Sequence, residues 1–127
     1  MKFSVPFMLA CLAVASASAA PPRVAVDVGH TSAEPGASSA RGRSEFEFNR
    51  DLAGRTVLAL RGRGVDVQEI NAAGDIGSLA ARPERARGSD FFISVHHDSI
   101  NAEYLEFWDW DGSEASYTTL KRGFGIF

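Results

Sequence analysis

Two rhythms of apolar and polar residues alternate along this chain. The run VAVDV at residues 24–28 is short, β-branched and closed by Gly29, which predicts a buried strand ending near Asp27. The next fifteen residues, HTSAEPGASSARGRS, carry small residues, Pro and Gly without apolar periodicity, and so predict a loop with Ser44 as the N-cap of the segment behind it. Residues 45–63 then change rhythm. At about 100° per residue, Phe48, Leu52, Ala59 and Leu60 share one wide arc, and Gly62 and Gly64 close the segment as a helix. VDVQEI at 65–70 returns to alternation and completes a β-α-β unit. After a turn-rich link at 71–77, residues 78–87 predict a short helix that admits Pro83 only in its first turn or at a kink.

FFISV at 91–95 is a third strand, and its unbroken hydrophobicity predicts a central position covered on both faces. EYLEFWDW at 103–110 is a further, more exposed strand in which acids alternate with aromatics. Strands alternating with helices predict an α/β class: a single domain with a mainly parallel sheet and flanking helices. The ending LKRGFGIF looks like the start of another strand, so the C-terminal part of the fold is expected beyond Phe127.

The first 20 residues are of another kind. Lys2 is followed by an apolar run from residue 3 to about 14, then by small residues offering Ala17-Ser18-Ala19 as a cleavage site: a secretory signal peptide. Its removal leaves no stable membrane span and no cysteine, since Cys11 is the only one, and it predicts an exported protein, periplasmic or extracellular. The net charge of -3 over 127 residues argues against general affinity for nucleic acid. Arginines gather between residues 41 and 63, whereas 98–114 holds six acids and no Lys or Arg.

All three histidines lie at predicted strand ends, His30 behind VAVDV and His96 with His97 behind FFISV. In open parallel sheets, ligands bind outside the carboxyl ends of the strands, so neighbouring strands would bring these imidazoles to one crevice. A catalytic zinc takes three protein ligands and keeps an open position, and two His with one carboxylate is a recurrent set. Helix geometry picks Glu45 for the carboxylate, because it falls within the arc of Leu52 and Ala59, whereas Glu47 falls among Arg50, Gly54 and Arg61 on the solvated side. A capping role beside Ser44 is the competing reading of Glu45.

DVGHTSAEPGA, SEFEFNRDLA, LAARPERA and FFISVHHDS together resemble, in order and spacing, the zinc-dependent N-acetylmuramoyl-L-alanine amidases, cell-wall hydrolases with motifs like D-P-G-H-G-G, a Glu opening the first long helix, L-x-x-R-x-x-x-A and S-I-H-A-N. The likeness covers the chain up to about Asn101, with 21–127 as an amidase-like catalytic domain incomplete at its C-terminus. It implies Zn2+ held by His30, Glu45 and His96, peptidoglycan as the partner, and hydrolysis of the amide between N-acetylmuramic acid and the L-alanine of the stem peptide. His97 stands where the family usually has a small residue, and it or Asp27 is a candidate for touching substrate or orienting the site. Asn49 and Arg82 also match family positions, where packing and hydrogen bonding account for them equally well.

The departures are Val28 in place of Pro, and Thr31 and Ser32 in place of a glycine pair. No catalytic residue is visible. The resemblance implies a late glutamate as general acid or base, and Glu103 and Glu106 come too early to supply it. The alternatives are an inactive zinc-containing module that binds peptidoglycan, or another secreted zinc peptidase or deacetylase.

Overall fold

Strand β1, Arg23–Val28, is the axis of the molecule. In the computed structural model, which describes residues 20–120, 123 and 125–126, five of its six residues are buried. Its pleat sends Val24, Val26 and Val28 to one face and Ala25 and Asp27 to the other. Helix α1 (Glu45–Arg61) covers the valine face through Phe46, Ala53 and Val57, with Val67 and Val95 completing that core. Ala25 meets a smaller cluster of Ile70, Ile76 and Ala86 on the opposite side, where helix α2 (Ala81–Arg85) lies. Residues 1–19 of the predicted signal segment lie outside the described residues. No helix among the described residues is long and apolar enough to cross a membrane.

The sheet runs β2-β1-β3, with β2 at Asp66–Ile70 and β3 at Phe91–Val95, and both strands lie parallel to β1. Asp27 pairs with Ile70 and Val28 with Val95, so all three strands end at one edge. This is the α/β arrangement with a parallel sheet and flanking helices that the alternating periodicity predicts.

The position of β3 corrects the sequence reading. It is an edge strand of the described sheet, and Phe91, Phe92 and Ile93 are 64%, 42% and 41% exposed. An unbroken apolar run reports a strand suited to cover on both faces, but it does not say which neighbours are present, and β1 takes the centre here.

The inward arc of α1 also differs. Its buried residues are Glu45, Phe46, Asn49, Ala53 and Val57, whereas Leu52 and Ala59 are exposed. The sequence arc was turned by most of a quadrant toward Leu52, because a polar residue, Asn49, occupies the centre of the true buried stripe. The helix begins with a capping box: the Glu47 backbone N–H donates to Ser44 Oγ at 3.4 Å, and the Ser44 N–H donates to Glu47 Oε2 at 3.0 Å. Glu47, not Glu45, therefore makes the cap, and Glu45 is left for other partners.

Beyond β3 the chain forms a 3-10 turn at Ala102–Tyr104 and a separate antiparallel hairpin, β4 (Glu106–Trp110) and β5 (Ser113–Tyr117). Its turn, Asp111-Gly112, has φ of 52° and 73°, the double left-handed pair that a two-residue hairpin loop requires. Trp108 and Trp110 project from the same side and stack at 5.1 Å, while Trp108 Nε1 donates to the Ala40 carbonyl at 3.2 Å and docks the hairpin on the 30–44 loop.

Candidate metal centre

The carboxyl edge of the sheet supplies two arms. Beyond Val28 the chain turns at Gly29, whose N–H donates to Val95 O at 3.0 Å and locks the end of β1 to the end of β3. His30 and His96 therefore leave neighbouring strands side by side, with ring centroids 5.1 Å apart at 69°. Packing here leaves no spare room: a methyl group on Gly29 would lie 2.5 Å from His96 Nε2.

The third arm is the first residue of α1. The 30–44 loop folds back on that helix end, with Glu45 N donating to Ala37 O at 2.7 Å and Phe46 N to Pro35 O at 2.9 Å. This places the Glu45 carboxylate, 5% exposed, between the two imidazoles. Its Oε1 lies 3.1 Å from His30 Nε2 and 3.2 Å from His96 Nδ1. Ligand atoms of His30, Glu45 and His96 all lie within 4.8 Å of one another, and among the described residues these three alone form such a group.

The neighbours of Oε1 test whether a cation suits the site. Besides the two ring nitrogens, the His97 backbone N–H donates to it at 3.1 Å and Asn49 Nδ2 at 3.5 Å. One carboxylate oxygen has two lone-pair directions and cannot accept four donors well. If both imidazoles instead turn lone pairs toward a cation shared with the carboxylate, the crowding resolves. Two ligands at zinc distances of about 2.0–2.1 Å in a tetrahedron sit roughly 3.3 Å apart, close to both observed separations. The donor set thus fits a divalent ion.

Electrostatics favour the ligand form of Glu45. Burial pushes its carboxyl upward, but the backbone donors of Ala37 and His97, the His30 imidazole and the Asn49 amide outweigh that and hold its pKa below the ordinary carboxylate range. A ligand carboxylate must be deprotonated, and this one is kept so.

His97 stands outside the three-residue group. Its Nδ1 is 2.6 Å from Asn49 Oδ1, and its ring tilts against Phe48 at 5.5 Å. Asn49 is fully buried, and its amide nitrogen is committed to Gly29 O at 3.2 Å and to Glu45, so its oxygen faces the imidazole and the hydrogen-bond network assigns the proton to Nδ1. His97 is thereby joined to the centre both through its own backbone and through Asn49.

Asp27 is 1% exposed and lies beneath the centre, accepting from Ser94 Oγ at 2.7 Å with Arg82 NH1 at 3.6 Å. Burial at that depth keeps Asp27 from substrate. Glu106 accepts from Tyr117 OH at 3.0 Å within the hairpin.

The family model described as N-acetylmuramoyl-L-alanine amidase matches residues 24–122. The chain belongs to that amidase family. Among solved structures, the N-acetylmuramoyl-L-alanine amidase AmiC2 of Nostoc punctiforme superposes with a TM-score of 0.61 at 25% identity, over 71% of this chain and 53% of that one. The N-acetylmuramoyl-L-alanine amidase from Clostridium difficile 630 gives 0.59 at 21% identity, over 71% and 50%, and bears on the fold alone. This member of the family spans about half the length of the solved relatives it matches. No curated protein sequence matches it.

Sequence reasoning named His30, Glu45, His96 and His97 but passed over residues that shape the centre. Gly36, at φ 77°, packs against it so closely that a methyl group there would lie 2.6 Å from Glu45 Oε2 and 2.7 Å from His30 Nε2. Its signal was the Pro35-Gly36 pair, read only as loop punctuation. Asn71, whose Nδ2 lies 2.6 Å from the carbonyls of Val28 and His30, carried a signal too, as a residue tolerant of left-handed geometry placed directly after a strand.

Proposed function

We propose that this chain is a zinc-dependent N-acetylmuramoyl-L-alanine amidase that hydrolyses the amide between N-acetylmuramic acid and the L-alanine of the peptidoglycan stem peptide. The protein acts outside the cytoplasm, exported by residues 1–20, in remodelling the wall or separating cells. The reading rests on family membership together with one geometric observation: the convergence of His30 and His96 from adjacent strand ends on a buried carboxylate, Glu45.

His30, Glu45 and His96 would hold Zn2+, which when bound would supply Lewis acidity toward the scissile carbonyl and toward water. The chain's own groups then have separable tasks. Glu45 stays anionic and neutralises part of the charge. Asn49 keeps the His97 proton on Nδ1, which leaves Nε2 of that exposed ring as a hydrogen-bond acceptor for a polar group of the substrate. The loop carrying Gly36 forms the wall beside Glu45 and His30.

Purified peptidoglycan incubated with the metal-stripped protein, with and without added Zn2+, tests the proposal. The expected result is zinc-dependent release of peptides beginning with L-alanine while the sugars remain intact. Release of shorter peptides or of acetate would identify a different zinc hydrolase. Co-pelleting with the wall without product release would identify a binding module instead.

A further inference from the structure

His30 carries an unusual burden for a side chain proposed to hold a metal. Its φ is 67°, in the left-handed region that residues with a Cβ rarely adopt. Metal-bound histidines ordinarily have their second ring nitrogen fixed by a hydrogen bond, yet no hydrogen bond to His30 Nδ1 occurs among the described residues. With no partner on that nitrogen, the ring is bounded only by packing against His96 and Gly36, and polar restraint on His30 falls to its backbone.

Two buried side chains do so. The carbonyls of Val28 and His30 straddle Gly29 and turn toward the same donors. Asn71 Nδ2 lies 2.6 Å from each. Arg82 spreads its fork across the same pair, NH1 donating to Val28 O at 3.1 Å and NH2 to His30 O at 2.8 Å. Both residues are 4% exposed, so their donors are turned inward and not shared with solvent. Each is itself fixed. Ile76 N donates to Asn71 Oδ1 at 2.9 Å, and Ile76 O accepts from Arg82 Nε at 3.0 Å and NH2 at 2.9 Å.

We infer that Arg82 and Asn71 are positioning residues for the metal ligand His30: together they latch the two carbonyls around Gly29, hold His30 left-handed, and so aim its Nε2 at Glu45. The inference rests on the metal reading above and extends it from ligands to what sets them. It ties metal affinity to α2 and to the β2–α2 link, neither of which contributes a ligand. A planar five-donor fork can satisfy two carbonyls at once, which a lysine ammonium on a single flexible stem does not reproduce.

The test uses the whole metal-stripped chain and four variants. Arg82→Lys keeps the cation beside Asp27 but removes the fork. Asn71→Gly removes the amide while tolerating the φ of 58° found there. Val57→Ala, in the core on the other face of the sheet, controls for general loss of stability, and His30→Ala controls for the ligand. Zn2+ affinity is measured by competition with a chromophoric chelator, coordination by the visible spectrum of the Co2+ form, and apo stability by melting.

Wild type binds one Zn2+ and His30→Ala loses it. Arg82→Lys and Asn71→Gly are each expected to weaken Zn2+ about 10- to 100-fold and to change the Co2+ spectrum, whereas Val57→Ala leaves both near wild type although it melts lower. Either latch variant suffices if the other fails to fold. Wild-type affinity and spectrum in both latch variants, with His30→Ala still deficient, would overturn the latch and leave the metal reading intact. A wild type that binds no Zn2+ would overturn both.

Discussion

Gly36→Ala isolates the steric requirement of the proposed centre. Gly36 sits at φ 77°, so any side chain there meets left-handed strain of roughly 1–2 kcal/mol. Gly42 offers an internal control, at φ 76° with nothing within 4 Å of where its Cβ would be. Gly42→Ala should therefore report the backbone cost alone. At Gly36 the new methyl also meets Glu45 Oε2 at 2.6 Å and His30 Nε2 at 2.7 Å, inside any ordinary van der Waals contact. The ligand side chains must yield, because the backbone on both sides of Gly36 is pinned to the start of α1, with Glu45 N donating to Ala37 O at 2.7 Å and Phe46 N to Pro35 O at 2.9 Å. Overpacking of this kind costs roughly 1–3 kcal/mol. Since the strain is relieved by displacing donor atoms, it should appear as metal affinity lowered about 10- to 100-fold, at about 1.4 kcal/mol per decade. Zn2+ titration of the metal-stripped proteins, with melting of the apo forms alongside, separates the two costs. The variants should melt similarly without metal and differ in Zn2+ affinity. Equal affinities in Gly36→Ala and Gly42→Ala would show that the space beside Gly36 is not where a cation is held.

The remaining expectations concern the scaffold. Ser44→Ala removes the N-cap of α1 and should lower stability by about 1 kcal/mol in denaturant unfolding. Hydrogen bonds from the Ser44 backbone and hydroxyl hold the Glu47 carboxyl below its ordinary pKa, so its contribution is complete above about pH 4.3 and disappears as pH falls through the lowered folded value. The melting difference between wild type and Glu47→Gln should accordingly vanish under strong acid. Asn49→Ala leaves Gly29 O and His97 Nδ1 without their partner, and unfolding should show a loss of about 1–3 kcal/mol. Val57→Ala should cost about 2–3 kcal/mol, from two lost methyl groups plus a residual cavity, because Val57 is 2% exposed between α1 and the sheet.

The elements were legible wherever local chemistry is self-sufficient. VAVDV, the capped helix behind Ser44 and the alternation of VDVQEI each carry their own conformational reason, and each forms. What escaped depended on partners. FFISV announces two faces needing cover, but pairing on only one edge among the described residues places it at the rim. The second hairpin strand, β5, was overlooked, although Asp111-Gly112 between two short runs is the strongest short-range hairpin signal available. Of its residues, SEASY, only Tyr117 has the β-branched or aromatic character by which strands are usually recognised.

Glu45 lies on the edge that the predicted apolar arc shares with the buried stripe of α1. Around the helix axis, Glu45 lies roughly 40° to one side of Asn49, while Phe46, Ala53 and Val57 lie to the other. An arc drawn through Leu52 and Ala59 overlaps the true buried stripe only along the edge that Glu45 occupies. Asn49 contributes nothing to an apolar arc, yet it is fully buried. Within this centre, polarity is a reason for burial: the Asn49 amide satisfies Gly29 O and meets His97, groups that would otherwise be left unpaired beside the sheet. The apolar moment of a helix consequently misreports the inward direction where that helix helps to build a polar site, and the misreading should be largest in the turn nearest the ligands. Toward the C-terminal end of α1, Val57 again faces inward as an apolar residue should.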